Sequence, residues 1–305
     1  MSDRHVVVGA GPVGTHVARL LADRGSEVVL VSRRGTTAPG VTSATLDASD
    51  ADALSALTDG AVALYNCANP SDYTQWHQVW PPLARSLRLA AERTGAVLAV
   101  TGTLYPYGPV ADGVMREGMP DAATDHKGVL RAEMWRELAD AHRAGSLRAV
   151  EVRGSDYMGT GVGTNGHVTR LLPAALDGKA VWAIDAADVP HSFTDVLDEA
   201  RGLIAAVDTP ESWGQVWHAP TNPAVTLRQA ITDTLAAVGR PPVPVRVVPR
   251  LITRAAGLAL PMLRELNQLS YQRTAPYVLE STRSQQMLGI EPTPWAEVCR
   301  RTAQV

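Results

Sequence analysis

The chain has 305 residues, 45% of them apolar, and a formal net charge of −3. That length suits one domain with a smaller lobe, and the apolar share fills a sizeable core. Charges of both signs are spread along the chain, which argues against an electrostatic grip on nucleic acid or anionic lipid.

The first half alternates strand and helix signals. Val6, Val7 and Val8 read as a short buried strand. A helix over 12–24 follows, with Val13, Val17, Leu20 and Leu21 on one face and Gly25 as its stop. Strands are predicted over 27–31, 42–46 and 61–65, with a short helix over 51–57. A helix over 80–94, a strand over 96–101, a long helix over 127–143 and a strand over 148–153 complete the series. Repeated βα units with near-continuously apolar strands predict a parallel sheet covered on both faces. Beyond Gly154 the pattern loosens. Residues 159–166 are loop-like, 168–176 and 193–207 are helix candidates, 216–219 a strand, and 226–238 an amphipathic helix. Pro241 to Pro244 form a connection, and 250–271 read as one or two helices around Pro261. The expected fold is α/β: a Rossmann-type doubly wound parallel sheet with a smaller, mostly helical C-terminal substrate lobe. The dinucleotide domain takes 1–156, 187–220 return to its sheet, and the lobe takes 157–186 and 221–305.

Two cysteines, Cys67 and Cys299, lack metal-type spacing and suit a reducing compartment. The longest apolar-looking stretch, 251–263, is broken by Arg254 and Pro261. It falls short of the about 20 apolar residues that span a bilayer. With no signal-peptide pattern at the start, the expectation is a cytoplasmic protein with no membrane and no nucleic-acid partner.

Gly9-Ala-Gly11-Pro12-Val13-Gly14 lies between the first strand and the first helix. The first glycine allows a tight turn, the second lets backbone approach a pyrophosphate, and the third lets helix and strand pack closely. Free N–H groups at the helix start then face the phosphates, and Pro12 suits the first helical turn. A glycine turn that merely packs is the alternative, but the complete strand–turn–helix–strand context favours a dinucleotide. At the end of the second strand, where an NAD site usually carries an acid, stand Ser32, Arg33 and Arg34. A hydroxyl and two guanidiniums suit a 2′-phosphate, so the cofactor is expected to be NADP(H).

Further motifs follow. Asp47 succeeds the third strand, and Asn66-Cys67-Ala68-Asn69 the fourth. Thr101-Gly-Thr103-Leu-Tyr105-Pro-Tyr107-Gly108 leaves the fifth, and Lys127 opens a helix. Arg153-Gly-Ser155-Asp-Tyr157-Met-Gly159, the stretch 191–198, and Leu288-Gly289 with Pro292-Thr293 come later. With the glycine turn, these resemble the short-chain dehydrogenase/reductase superfamily, in its extended NAD-dependent epimerase/dehydratase branch, over nearly the whole length. The resemblance implies that Asp47 lies by the adenine and that Cys67, Ala68 and Asn69 line ribose and phosphates. Thr101, Arg153 and Ser155 complete the implied cofactor shell. Thr103 matches the catalytic Ser/Thr, and Lys127 matches the lysine that holds the nicotinamide ribose. A homodimer through helices flanking the sheet is also implied.

The family's proton donor is a tyrosine four residues before that lysine, and here Ala123 stands in its place. Tyr105 or Tyr107 is a candidate replacement, since either has a lysine nearby to depress its pKa. Pocket lining is the plainer reading of both. Asp125, His126 and Tyr157 are further candidates. Trp76 and Trp80 read as a packed helix face, and His191 as structural. Trp182, Trp213 and Trp217 read as core or interface, and Arg264, Asn267, Gln268 and Tyr271 as a polar stripe. The leading expectation is an NADP(H)-dependent oxidoreductase acting on a small carbonyl, imine or activated alkene. Two alternatives stand beside it: a non-redox epimerase, dehydratase or cyclase-like enzyme that retains NADP, and a non-catalytic NADP sensor.

Overall fold

Seven parallel strands build the central sheet of the computed structural model, which describes residues 2–70, 72–249, 251–253, 265 and 267–304. In chain order they are β1 (Arg4–Val8), β2 (Glu27–Ser32), β3 (Thr42–Thr45), β4 (Ala63–Asn66), β5 (Val97–Thr103), β6 (Arg148–Gly154) and β7 (Val216–His218). In space they run β7-β6-β5-β4-β1-β2-β3, the doubly wound Rossmann order with its switch beside β1. All seven strands point the same way, so their C-terminal ends share one edge.

Strand alternation explains the layers. Val7 and Leu30 face helices α1 (Pro12–Asp23) and α5 (Val196–Asp208), packing on Val17, Leu21 and Leu203. Val6 and Val8 face α2 (Ala51–Thr58), α3 (Trp76–Thr94) and α4 (His126–Arg143), packing with Leu54, Trp80 and Leu87. Burial of both faces accounts for the continuous apolar strands.

Three sequence expectations are corrected. Helix α3 starts at Trp76, one turn before the expected 80. Trp76 and Trp80, four residues apart, are both buried against the sheet, and Pro81 and Pro82 sit inside the helix. The expected helix over 193–207 begins with a strand instead: Phe193–Asp195 pairs in parallel with Asp156–Met158. Asp195 then accepts the Leu197 N–H and starts α5. Of 168–176 only Leu172–Leu176 is α-helical. Of the helices expected over 250–271, residues 250, 254–264 (Pro261 and Arg264 among them) and 266 lie outside the described residues, while 251–253 are helical. A second core gathers Met158, Leu172, Val181, Phe193, Ile231 and Val298 beside the sheet. Trp217 is buried, whereas Trp182 is exposed.

Candidate active site

The glycine turn sits on the C-terminal edge between β1 and α1. Gly9 has a φ of 103°, and a Cβ there would lie 2.6 Å from the Ala68 nitrogen. A Cβ on Gly14 would lie 1.9 Å from the Gly9 carbonyl oxygen. Both positions therefore admit only hydrogen, and this close packing brings Gly9, Gly14, Cys67 and Ala68 together. Gly11 differs, since nothing lies within 4 Å of its virtual Cβ. The space above Gly11 is where a pyrophosphate needs to approach. Gly11 caps α1 without a side-chain hydrogen bond, Pro12 takes the first position, and no acidic residue occupies the first turn. The N–H groups beside Val13 and Gly14 are thus free for an anion. This cradle fits a dinucleotide diphosphate. Burial pushes the Cys67 thiol up to about 12, so it stands there as a neutral wall. Asn69 lies exposed just beyond.

At the neighbouring strand end, Arg33 and Arg34 are exposed in the turn after β2. Neither guanidinium has a hydrogen-bond or ion-pair partner among the described residues. Ser32 Oγ accepts the Thr36 N–H at 2.9 Å, and Asp47 Oδ1 accepts the Ser49 N–H at 3.0 Å. Asp47 is exposed. The charge nearest the end of β2 is therefore positive and available.

The other end of the cleft is built where β5 and β6 stop. Thr103 pairs with Gly154 in register, and its hydroxyl is buried without a partner. Lys127, in the first turn of α4, is wholly buried. Its ammonium contacts the Glu265 carboxylate and lies 5.8 Å from the centre of the Tyr73 ring. His126 Nε2 lies 3.0 Å from the same Glu265 oxygen. Burial pushes the Glu265 carboxyl up, but Lys127 and His126 pull it below the usual range, so it stays ionised. Tyr73 and Tyr105 hydroxyls meet at 3.0 Å. Burial, with Tyr73 and Asp156 nearby, raises Tyr105 well above the ordinary tyrosine value. The depressed pKa expected of a proton-donating Tyr105 beside Lys127 is not what this environment produces.

Tyr107 faces elsewhere. Its hydroxyl lies 2.8 Å from His218 Nε2, and the Arg153 guanidinium stacks 4.7 Å from its ring. Burial pushes its hydroxyl up to about 12. Arg153 itself is held by Asp121 at 2.7 Å and Glu151 at 3.0 Å. The Ser155 N–H donates to Thr194 Oγ1 at 2.9 Å, while the Ser155 hydroxyl is buried. Tyr157 lies beside the buried Glu199 carboxylate, both close to Gly154.

Ala123 precedes the helix. Asp125 is the N-cap of α4, accepting the Lys127 and Gly128 N–H groups at 3.1 and 2.9 Å. Ala123 is pinned in the loop by its N–H bond to the Pro106 carbonyl, against Gly108 and Gly128. The pair four residues apart on one helical face is therefore Lys127 and Arg131, not Ala123 and Lys127. Arg131 was absent from the residues the sequence singled out. It is buried, donates to the Thr101 carbonyl at 2.7 Å and stacks 4.6 Å from the Trp80 ring. One of its terminal nitrogens, NH1, is buried without a hydrogen bond. The four-residue spacing from Lys127 was its one sequence signal. Glu265 and Tyr73 carried none, because distant segments deliver them.

The model of the NAD dependent epimerase/dehydratase family matches residues 5–218. No curated protein sequence matches the chain. Among solved structures, a UDP-N-acetylglucosamine 4-epimerase from Methanobrevibacter ruminantium is 15% identical, with TM-score 0.81 over 100% of this chain and 98% of that one. A UDP-glucose 4-epimerase from Thermotoga maritima is 15% identical, with TM-score 0.80 over 99% and 97%. A UDP-glucuronic acid 4-epimerase from Bacillus cereus, solved in complex with NAD, is 15% identical, with TM-score 0.77 over 98% and 97%. At such identities these likenesses bear on the fold alone.

Proposed function

This chain belongs to the NAD dependent epimerase/dehydratase family, and we propose that it is a non-redox enzyme of that kind, retaining NADP(H) while it acts on a small polar substrate. The observation that carries the reading is the shared edge of the sheet. An open glycine cradle at one end and a buried lysine at the other lie across the same strand ends. The family match and the epimerase folds favour this over a net reductase of carbonyls, imines or activated alkenes.

A bound nicotinamide supplies reversible hydride exchange. The chain's own residues do the rest. Gly9, Gly11 and Gly14, with the α1 N-terminus, hold the diphosphate. Arg33 and Arg34 select the 2′-phosphate form over the unphosphorylated one. Arg131, with a buried N–H to spare, holds the nicotinamide ribose. Lys127 meets the substrate oxygen, donating a hydrogen bond that steadies negative charge as it develops there. Until substrate enters, Glu265 and His126 hold that ammonium. Thr103 offers a second hydroxyl to the same oxygen. Lys127 thus serves where the family uses a tyrosine, and Arg131 where it uses a lysine. The two free, buried cysteines suit a reducing, cytoplasmic setting. A homodimer through α3 and α4 belongs to the same reading. Among the described residues no helix is long and apolar enough to cross a membrane.

Purified protein tests this. Gel filtration should leave a stoichiometric dinucleotide on the chain, identified as NADP after denaturation. Turnover of a substrate panel should leave nicotinamide absorbance unchanged overall. Stoichiometric consumption of NADPH would restore the reductase reading, and tight binding without any turnover the sensor.

A further inference from the structure

Outside the dinucleotide cleft, three side chains from three separate segments converge where the sheet domain meets the lobe. We infer that Asp156, His167 and His191 form a binding site for a divalent first-row transition-metal ion such as Zn²⁺. Their ligand atoms all lie within 4.8 Å of one another. Asp156 follows the end of β6, His191 sits in the short strand Pro190–His191, and His167 comes from the loop between them. His191 Nε2 lies 2.6 Å from Asp156 Oδ2, and His167 Nδ1 lies 3.2 Å from the same oxygen. Tetrahedral bonds of about 2.0–2.2 Å set ligand atoms about 3.3–3.6 Å apart, so the His167–Asp156 spacing nearly fits and the His191–Asp156 pair has to widen by under about 1 Å to admit an ion.

The second observation concerns the far side of His191. Its Nδ1 lies 3.1 Å from the Gln272 carbonyl oxygen. A carbonyl only accepts, so Nδ1 carries the hydrogen and donates it. Nε2 then faces a carboxylate oxygen at a distance that calls for a shared cation, either a proton or a metal ion bound to both. An imidazole anchored by its other nitrogen to a backbone carbonyl is the usual outer support of a metal ligand. Two imidazoles and one carboxylate favour a transition ion over Mg²⁺ or Ca²⁺, which prefer all-oxygen shells. Three protein ligands leave a fourth position open for water or a substrate oxygen. Arg170 and Arg273 are the nearby cations; Arg273 is paired with Asp185 at 2.8 Å. Arg170 lies near enough to Asp156 for their charges to interact.

A proton on His191 is the rival occupant of the gap, and metal uptake separates the two. Tag-free full-length protein, stripped with a chelator, is titrated with Zn²⁺ by calorimetry and equilibrium dialysis, with Mg²⁺ in parallel. The expected result is one Zn²⁺ per chain, no Mg²⁺, and visible d–d absorption when Co²⁺ is used. His167→Gln and Asp156→Asn should each weaken uptake by about tenfold or more, with the circular dichroism of the parent. His167 is the safer variant for folding, since its one ion pair among the described residues is with Asp156, whereas Asp156 meets both histidines. Absence of Zn²⁺ uptake, or uptake unchanged in both variants, overturns the assignment. The titration needs no dinucleotide, so its failure leaves the cofactor reading standing, and loss of the cofactor reading leaves this one testable.

Discussion

The proposed choice of cofactor rests on two residues after β2. Arg33 and Arg34 are exposed and have no carboxylate partner among the described residues, so their removal disturbs no contact there. Each charge-assisted bond to a 2′-phosphate is worth about 1.5–3 kcal/mol. The double variant Arg33→Ser/Arg34→Ser should therefore bind NADPH at least about tenfold more weakly while its NADH affinity stays level. Fluorescence titration of both nucleotides reads this directly, and a parallel fall in NADH affinity would remove the arginines from the phosphate. Lys127 and Arg131 divide differently. Lys127→Met should retain the dinucleotide yet lose turnover by roughly 10²–10³, the usual cost of one lost oxyanion donor. Arg131→Met should instead shed the dinucleotide on gel filtration. If Lys127→Met sheds it and Arg131→Met keeps it, the two roles are exchanged and the lysine is the ribose ligand after all.

The β1–α1 turn shows what was legible at the scale of an element. Its three glycines made both the fold and the cleft legible, because Gly9 and Gly14 meet packing demands that only glycine satisfies while Gly11 leaves open the space a pyrophosphate needs. Those demands also separate packing from binding. Gly14→Ala would drive a methyl into the Gly9 carbonyl, an overpacking that typically costs about 1–3 kcal/mol. Gly11→Ala meets open space, so melting temperature should hold while dinucleotide affinity falls by about tenfold or more. Equal loss of stability in both variants would mean that Gly11 also packs. Helix α4 was harder to read. A four-residue spacing identifies a helical pair only where the helix is known to start, and the Asp125 cap puts that start after Ala123. The expected pair Ala123–Lys127 straddles the boundary, while Lys127–Arg131 lies wholly inside. The strand Phe193–Asp195 was missed for a similar reason: three residues are too few for periodicity, and only its partner, Asp156–Met158, defines it. Glu265 and Tyr73 reach Lys127 from 138 and 54 residues away along the chain, a proximity that no local pattern encodes.

Over the whole molecule, the division into a cofactor domain and a lobe is a proposal about function, because the chain laces the two parts together. The lobe is made from two stretches on either side of α5 and β7. Its last residues reach back to the sheet. Thr293 donates to Asp198 on α5 at 2.6 Å, and Ser284 Oγ accepts the His218 N–H of β7 at 2.8 Å. Breaking the lobe away would strand these buried polar groups, so one cooperative unit is expected. The two cysteines report on it from opposite sides. Cys67 belongs to the core of the sheet and Cys299 to the core of the lobe. Burial pushes their thiols up to about 12 and about 11. At a pH of about 8 only roughly one Cys67 thiol in ten thousand is then the reactive thiolate, and buried besides. Native protein should give almost no reaction with a thiol reagent. Along a urea gradient both should become reactive over one shared transition that coincides with loss of the circular dichroism signal. Early labelling of Cys299 alone, identified by peptide mapping, would show that the lobe opens by itself and that the hydrogen bonds to α5 and β7 do not couple it to the sheet.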